Sequence, residues 1–194
     1  GFSRMLYFSE DIWNLIRIPE PTKPIFGGVL LGLLGIASYQ IDGFPRVFGV
    51  GYETIESTLF SQLTLQVTFV LLILKLIATT LTLGSGGSGG IFAPSLFMGA
   101  MLGASFGQIA HTLFPEIVAP SGAYALVGMA AFFSGAAHAP ITAILILYEM
   151  TGDYQIILPL MLATVISAIV SRNLSHDSIY ALKWKSRGVE LSED

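Results

Sequence analysis

The sequence predicts an all-α integral membrane protein whose helices are partly broken. Three observations carry this. Charged residues make up only 11% of the 194 residues and hydrophobic ones 53%, against about 25% charged in a soluble domain. Three long stretches carry no Asp, Glu, Lys or Arg at all: Leu76–Pro115, Ile117–Tyr148 and Tyr154–Ser171. Finally, a glycine-rich run, Gly84-Ser85-Gly86-Gly87-Ser88-Gly89-Gly90, splits the first of these stretches in two. A spanning helix needs about 20 mostly apolar residues, so the apolar content suffices for several crossings, and the glycines and prolines decide where they break.

The elements follow in order. Residues 3–20 mix Tyr7, Phe8, Glu10, Asp11, Trp13 and Arg17, a pattern that suits a helix at the membrane surface, ended by Pro19, Pro21 and Pro24. Ile25–Tyr39 reads as an apolar helix containing Gly27, Gly28, Gly32 and Gly35, too short to cross unless its flanks extend it. Ile41–Gly51 reads as a turn-rich loop and Tyr52–Phe60 as a short polar helix. Gln62–Leu83 is the first full-length span and contains Lys75. After the glycine run, Ile91–Leu113 is a second long helix. Gly99, Gly103 and Gly107 recur on one of its faces, a spacing that lets a neighbouring backbone approach closely. Ala123–Ala136 is a helix of small residues, broken at His138-Ala139-Pro140. Pro140 starts the next helix, which runs to Met150. Asp153–Pro159 reads as a turn into a last apolar helix ending near Arg172, and a polar joint, Asn173–Ser178, precedes a short terminal helix with Tyr180 near its start. Short helices in broken pairs are the build of ion transporters, in which helix ends meet near the midplane.

The glycine run carries the sharpest chemistry. A helix start leaves about four amide N–H groups unbonded and carries roughly half a positive charge. In lipid such backbone survives only where it is buried in protein or lines a cavity, and the natural occupant of that cavity is an anion. Ser88 is a candidate cap. Pro94 suits the first turn because it has no N–H to orphan. The free donors are then chiefly those of Ile91 and Phe92. Partial charges of this kind hold an anion firmly enough to enter and weakly enough to leave. An ordinary helix start buried against protein fits the same residues, and the sequence leaves both readings open. Gly84–Gly89 also matches G-x-G-x-x-G, but a dinucleotide fold needs a preceding strand and an acidic residue about 20 positions on. Here an apolar helix precedes it and the next acid is Glu116. The run also looks like a flexible linker, although both its flanks are apolar and it leads directly into a patterned helix.

Other polar residues read as structural. Lys75 lies mid-span, where a charge is functional by default. A lysine can also lay its stem along the helix and reach carbonyls with its head, so a structural or long-range electrostatic role is expected rather than direct ligation. Glu149 and Asp153 bracket a helix end, where capping accounts for them. His138 sits at a helix break, and a structural hydrogen bond is expected there. His111, His138 and His176 are too scattered for a metal site, and no nucleophile–base pair marks an enzyme. The sequence has no cysteine, and its net charge of −4 gives no basic patch for nucleic acid.

Gly90-Ile91-Phe92-Ala93-Pro94 fits the G-x-F-x-P anion motif of the CLC family of chloride channels and chloride/proton antiporters. Lys75–Leu83 before it and Gly99–Gly103 after it fit the same context. His138–Thr142, Leu147–Tyr154 and Ser178-Ile179-Tyr180 resemble that family's later segments in the same order. The chain therefore resembles the second of the two inverted repeats of a CLC subunit. The resemblance implies a CLC-like inverted-repeat bundle of tilted, partly broken helices, of which this chain is one repeat. It divides into a connecting segment (1–24), a membrane domain (25–188) and a short tail (189–194). It implies chloride as the bound ion and no other cofactor. The amides of Ile91 and Phe92 and the hydroxyl of Tyr180 would bind the anion, with Ser88, Gly89, Gly90 and Pro94 forming the loop and helix start. The implied partners are the first repeat of the same protein, a second copy in a homodimer, and the bilayer.

The family's first-half motif G-[KR]-E-G-P does not occur in this sequence, and a chain that starts without Met is expected to be a fragment or processed piece. Glu149 would be the repeat-related counterpart of a first-half glutamate and is not assigned a proton path. Basic residues gather near both ends (Arg4, Arg17 and Lys23; Lys183, Lys185 and Arg187), which places both termini in the cytoplasm. The short loops suit a prokaryotic inner or plasma membrane. A non-transporting assembly partner, or an isolated half-transporter, is the alternative from a different class. A cation transporter is disfavoured because no acidic residue lies near the glycine run.

Overall fold

The computed structural model describes residues 22–174 together with Leu6, Ser9 and Trp13. The described residues form seven α-helices joined by turns: α1 (Lys23–Asp42), α2 (Tyr52–Leu59), α3 (Leu65–Gly84), α4 (Phe92–Leu113), α5 (Ser121–Ala137), α6 (Pro140–Thr151) and α7 (Ile157–Leu174), with a single 3₁₀ turn at Tyr154–Ile156 before α7. No strand occurs among them. The expected surface helix at residues 3–20, the polar joint past residue 174 and the terminal helix with Tyr180 lie outside or almost wholly outside the described residues.

Four stretches are long and apolar enough to cross a membrane: Lys23–Ile41, Leu65–Gly84, Phe92–Leu113 and Tyr154–Leu174. The helices of α5 and α6, with 17 and 12 residues, rise only about 26 and 18 Å and fall short of a hydrocarbon core of about 30 Å. The expectation of long spans mixed with broken short ones holds.

Besides shifts of two or three residues at the starts of α3 and α5, three element boundaries differ from expectation in ways that matter for the fold or the site. The first apolar helix is not short: α1 takes in both flanks and reaches 20 residues. It ends on Gly43 at φ +72°, whose N–H returns to the Tyr39 carbonyl, so the loop begins two residues later than the sequence suggests. Asp153 is indeed a cap, accepting from the Gln155 amide at 2.8 Å. The turn after it is only three residues long, however, and Pro159 falls inside the first turn of α7, where its missing N–H costs no bond. The long helix α4 begins at Phe92 rather than Ile91.

The core is centred on α4, which packs most extensively against α5 and also against α3 and α2; α5 in turn carries α6 and α7, and α1 lies on α3. Phe97, Leu96, Ala100, Met101 and Ala104 of α4 and Ala125, Met129 and Ala130 of α5 are all sealed from solvent. The glycine stripe makes this packing possible. At Gly103 an added Cβ would run into the Tyr124 carbonyl of α5, and at Gly99 it would lie 2.5 Å from the Gly128 carbonyl oxygen. The expected packing role of these glycines is therefore what the structure shows. Lipid tails give helices no hydrophobic reason to associate, so close backbone contact and interhelical hydrogen bonds do more of the work. The α5–α7 pair shows the second device: Ser134 donates to the Thr164 carbonyl at 2.8 Å, Ser167 to the Ala131 carbonyl at 2.6 Å, and Ser171 to the Gly135 carbonyl.

Candidate functional site

The glycine run does two different jobs. Its first half terminates α3. Gly86 takes the left-handed conformation at φ +81°, its N–H returns to the Leu83 carbonyl at 3.2 Å, and the Gly87 N–H returns to the Thr82 carbonyl at 2.9 Å. This paired 5→2 and 6→1 pattern is a Schellman motif, and the left-handed position in it favours glycine. Its second half, Ser88-Gly89-Gly90, carries the chain to α4. Here the backbone makes no such bonds. No acceptor among the described residues is bonded to the amides of Ser88 through Ala93. The ladder resumes only at Ser95, whose N–H reaches the Ile91 carbonyl at 3.1 Å. Pro94 has no N–H, as expected of a first-turn proline.

These amides adjoin a cavity of about 490 Å³. Ser88, Gly89, Gly90, Phe92, Ala93 and Pro94 form one side of it. The remaining wall comes from α3 (Lys75, Ala78, Thr79, Thr82, Leu83), from Leu31 of α1 and from the loop residues Val47–Val50. No carboxylate lines it among the described residues. The hydroxyls of Thr79 and Thr82 are turned back onto their own helix, donating to the Lys75 and Ala78 carbonyls at 2.7 Å each. The donors left to serve a guest are therefore backbone amides and the Ser88 hydroxyl. The one formal charge in the wall is positive.

That charge is Lys75, only 3% exposed. Its ammonium donates to the Val47 carbonyl at 2.9 Å and the Gly49 carbonyl at 2.8 Å, and it sits 4.8 Å from the centre of the Phe97 ring. The expectation that the head reaches carbonyls is met. Two carbonyl dipoles and a ring face solvate the cation without neutralising it, so its field persists in the low-dielectric surroundings. A cavity with free N–H groups on one side, an uncompensated ammonium on another and no carboxylate suits an anion and repels a cation.

The structure brings most of the sequence-derived site residues together. Ser88, Gly89, Gly90, Phe92 and Pro94 all line the cavity. Two details differ from expectation. Ser88 is not the cap: the cap position is Ile91, in helical conformation, and no side chain caps α4. With the cap position at Ile91, Ser88 lies three residues upstream, too far to serve. The Ile91 side chain is turned away from the cavity into a small cluster with Leu6 and Leu83, and this cluster anchors the helix start. Sequence reasoning missed Ala93, whose amide is unbonded and which lines the cavity beside Phe92. Counting orphan donors from the proline backwards would have found it. Tyr180 lies outside the described residues. His138 is structural, as expected: it faces the Ser171 hydroxyl at 3.2 Å. Among the described residues no cluster of His, Asp or Glu could hold a metal ion.

Comparison with known proteins places this arrangement among relatives. The family described as voltage gated chloride channel matches residues 1–172. A ClcB-like protein of Ralstonia nicotianae is 36% identical over 165 residues, which cover 85% of this chain and 37% of that protein. The voltage-gated ClC-type chloride channel ClcB of Escherichia coli O9:H4 is 35% identical over 165 residues, covering 85% of this chain and 38% of the channel. The crystal structure of a slow cyanobacterial Cl⁻/H⁺ antiporter superposes with a TM-score of 0.81 at 28% identity, over 96% of this chain and 43% of the antiporter. The chain thus spans well under half the length of the relatives it matches.

Proposed function

The chain belongs to the voltage-gated chloride channel (CLC) family, and from that premise we propose that it is the second inverted repeat of a protein that carries chloride across a membrane, as a channel or as a chloride/proton antiporter. Its relatives are named as a ClC-type chloride channel and a Cl⁻/H⁺ antiporter, which are transport proteins and not enzymes. The observation that carries the reading is the cavity at the start of α4, where unbonded amides and Lys75 face a space without carboxylates.

In this reading the amides of Phe92 and Ala93, with that of Ile91 behind them, hold a dehydrated chloride. The Tyr180 hydroxyl, by family resemblance, gives a further hydrogen bond. Neutral donors supply enough attraction to strip water from the ion and too little to trap it. Lys75 adds a standing positive potential that favours any anion over any cation. The first repeat of the same protein completes the pore. A second copy forms a homodimer, for which the outward apolar residues of α7, among them Leu158, Leu162 and Ile166, offer surface. The setting is a prokaryotic inner or plasma membrane with cytoplasmic termini, as the basic ends suggest.

The test is to reconstitute the full-length protein containing this chain into liposomes, impose a chloride gradient, and record chloride and pH together. Chloride efflux with opposing proton movement identifies an antiporter, and efflux without proton movement a channel. No chloride movement from a folded, dimeric protein would sink the transport reading and favour an assembly partner.

A further inference from the structure

We propose that residues 47–50 form a strap separating the anion cavity from a second space, and that Lys75 is the positioning residue that keeps this strap closed. The proposal rests on reading the cavity as the chloride cavity.

The strap is a thin wall. Phe48, Gly49 and Val50 line the cavity of about 490 Å³ at the α4 amides. The same three residues also line a separate groove of about 570 Å³, whose other walls include Arg46, Tyr52, Glu53 and Ser57. One segment of backbone and two side chains therefore divide two sizeable spaces. If the strap moves, the spaces join.

The wall is held from outside itself. Within it, the Phe48 N–H reaches back to the Pro45 carbonyl at 3.3 Å; after it, α2 begins with Thr54 and Ile55 donating to the Gly51 carbonyl. Apart from that Phe48 bond, the strap's backbone hydrogen bonds among the described residues are the two its carbonyls accept from Lys75. Gly49 (φ +62°) within the strap and Gly51 (φ +81°) just after it take left-handed conformations, open to glycine and costly for other residues. Such a segment can swing if its anchors release it.

Three anchors keep it in place. Val47 is buried in the core. The Phe48 ring lies over Gly35 of α1, in the space that a Cβ there would occupy, yet it remains 41% exposed. Beneath Gly51 lies the Phe97 ring, 2.6 Å from where a Cβ would stand, and this is the ring that faces the Lys75 ammonium. Lys75 is thus the hub. It bonds the strap's backbone directly and touches the ring on which the strap's far end rests. Its placement gives one residue two consequences: the charge that favours the anion, and the closure that sets access to it.

The test reads access instead of transport. Neither the strap nor the cavity contains cysteine, because the sequence has none. In the full-length protein Thr79→Cys places a thiol in the cavity wall at a position 6% exposed. Its alkylation by iodoacetamide, a small neutral reagent, is followed by mass spectrometry of the peptide carrying residue 79. Because the thiolate is the reacting form and residue 79 lies one turn from Lys75, loss of the ammonium by itself slows the reaction, so faster labelling reports opening. Adding Phe48→Ala should speed alkylation at least roughly tenfold without touching any charge. Lys75→Met should do the same, and Lys75→Arg, which keeps donors for both carbonyls, should restore slow labelling. A Phe48→Ala protein that elutes like its parent and labels within roughly twofold of it overturns the proposal. If Lys75→Met does not fold, Phe48→Ala and the milder Phe48→Leu decide alone. Labelling is independent of which ion is carried, so loss of the chloride reading in the liposome experiment and loss of the strap are separate outcomes.

Discussion

Helices α4 and α6 both begin just after a break and carry proline in their first turn, yet only α4 begins at a candidate binding site. The start of α4 is recessed: Ile91 and Ser95 are 5% and 1% exposed, its amides adjoin a cavity, and Lys75 stands in the wall. The start of α6 follows a junction of two residues. Its Ile141 is 72% exposed, and the left-handed residue before it, His138 at φ +57°, is engaged with Ser171. Both starts have the orphan amides and dipole of any helix N-terminus. What separates them is the length of glycine-rich chain ahead of α4, which spaces two helices far enough apart to enclose a volume, and the uncompensated cation placed there by α3. A helix start alone is common; a recessed one beside a positive charge and away from carboxylates is not.

The largest effect should come from removing the recession. Gly103→Leu drives a side chain into the Tyr124 carbonyl and should destabilise the α4–α5 pair by about 3 kcal/mol or more, seen as loss of the monodisperse full-length protein in detergent. The equivalent change at Gly32, which has open space around it, should leave the elution profile unchanged.

The charge comes next. Lys75→Met should weaken chloride binding in the full-length protein by about 2 kcal/mol, roughly 30-fold in titration calorimetry, because the ammonium's field is lost. It also strands the Val47 and Gly49 carbonyls, so melting temperature should fall along with affinity. Glu149→Gln, at the exposed far end of α6, should change neither by more than about 0.5 kcal/mol.

A smaller and more local change sharpens the comparison between the helix starts. Replacing the Phe92–Ala93 peptide by an ester removes one N–H and leaves every side chain in place. A hydrogen bond to a charged group is worth about 1.5–3 kcal/mol, so chloride affinity should fall roughly tenfold or more. The same replacement ahead of Thr142 in α6 should leave affinity unchanged. Equal effects at the two sites would break the distinction drawn between them.

The smallest effects concern the left-handed residues that end the preceding helices. Gly86→Ala should cost about 1 kcal/mol, because alanine resists φ +81°. His138→Gly relieves the same strain but gives up the contact with Ser171, so thermal melting should shift by less than about 0.5 kcal/mol equivalent.

Much of this was legible in the sequence, and the misses have physical causes. The spans were readable because charge-free runs have one use in a long chain. The glycine stripe of α4 was readable because its spacing of four residues puts Gly99, Gly103 and Gly107 on one face. The glycine break was readable as an interruption but not as two devices: that Gly86 and Gly87 close α3 while Gly89 and Gly90 open a cavity depends on dihedral angles that composition does not encode. The α1 helix is longer than the sequence suggests because its flanks, residues 23–24 and 40–42, continue the helix. In the structure Gly27 abuts Ser85 and Gly35 abuts Phe48, so tertiary packing overrides the low propensity. The one-residue shift at the start of α4 moved the predicted donors and added Ala93, because helix boundaries are set by local dihedrals and not by the apolar pattern; Ser88 lies two residues ahead of the cap position even for a start at Ile91. Lys75 was readable as a buried cation reaching for carbonyls, but the loop that supplies them, 26 to 28 residues upstream, was not.

The most direct measurement is to locate the anion. Crystals of the full-length protein grown or soaked with bromide in place of chloride give an anomalous signal at each bound halide. The account predicts a peak in the cavity before α4, within about 3.5 Å of the Phe92 and Ala93 nitrogens, close to hydrogen-bond range for an amide donor. Halide peaks elsewhere in a well-ordered structure, with none at the α4 amides, would contradict it.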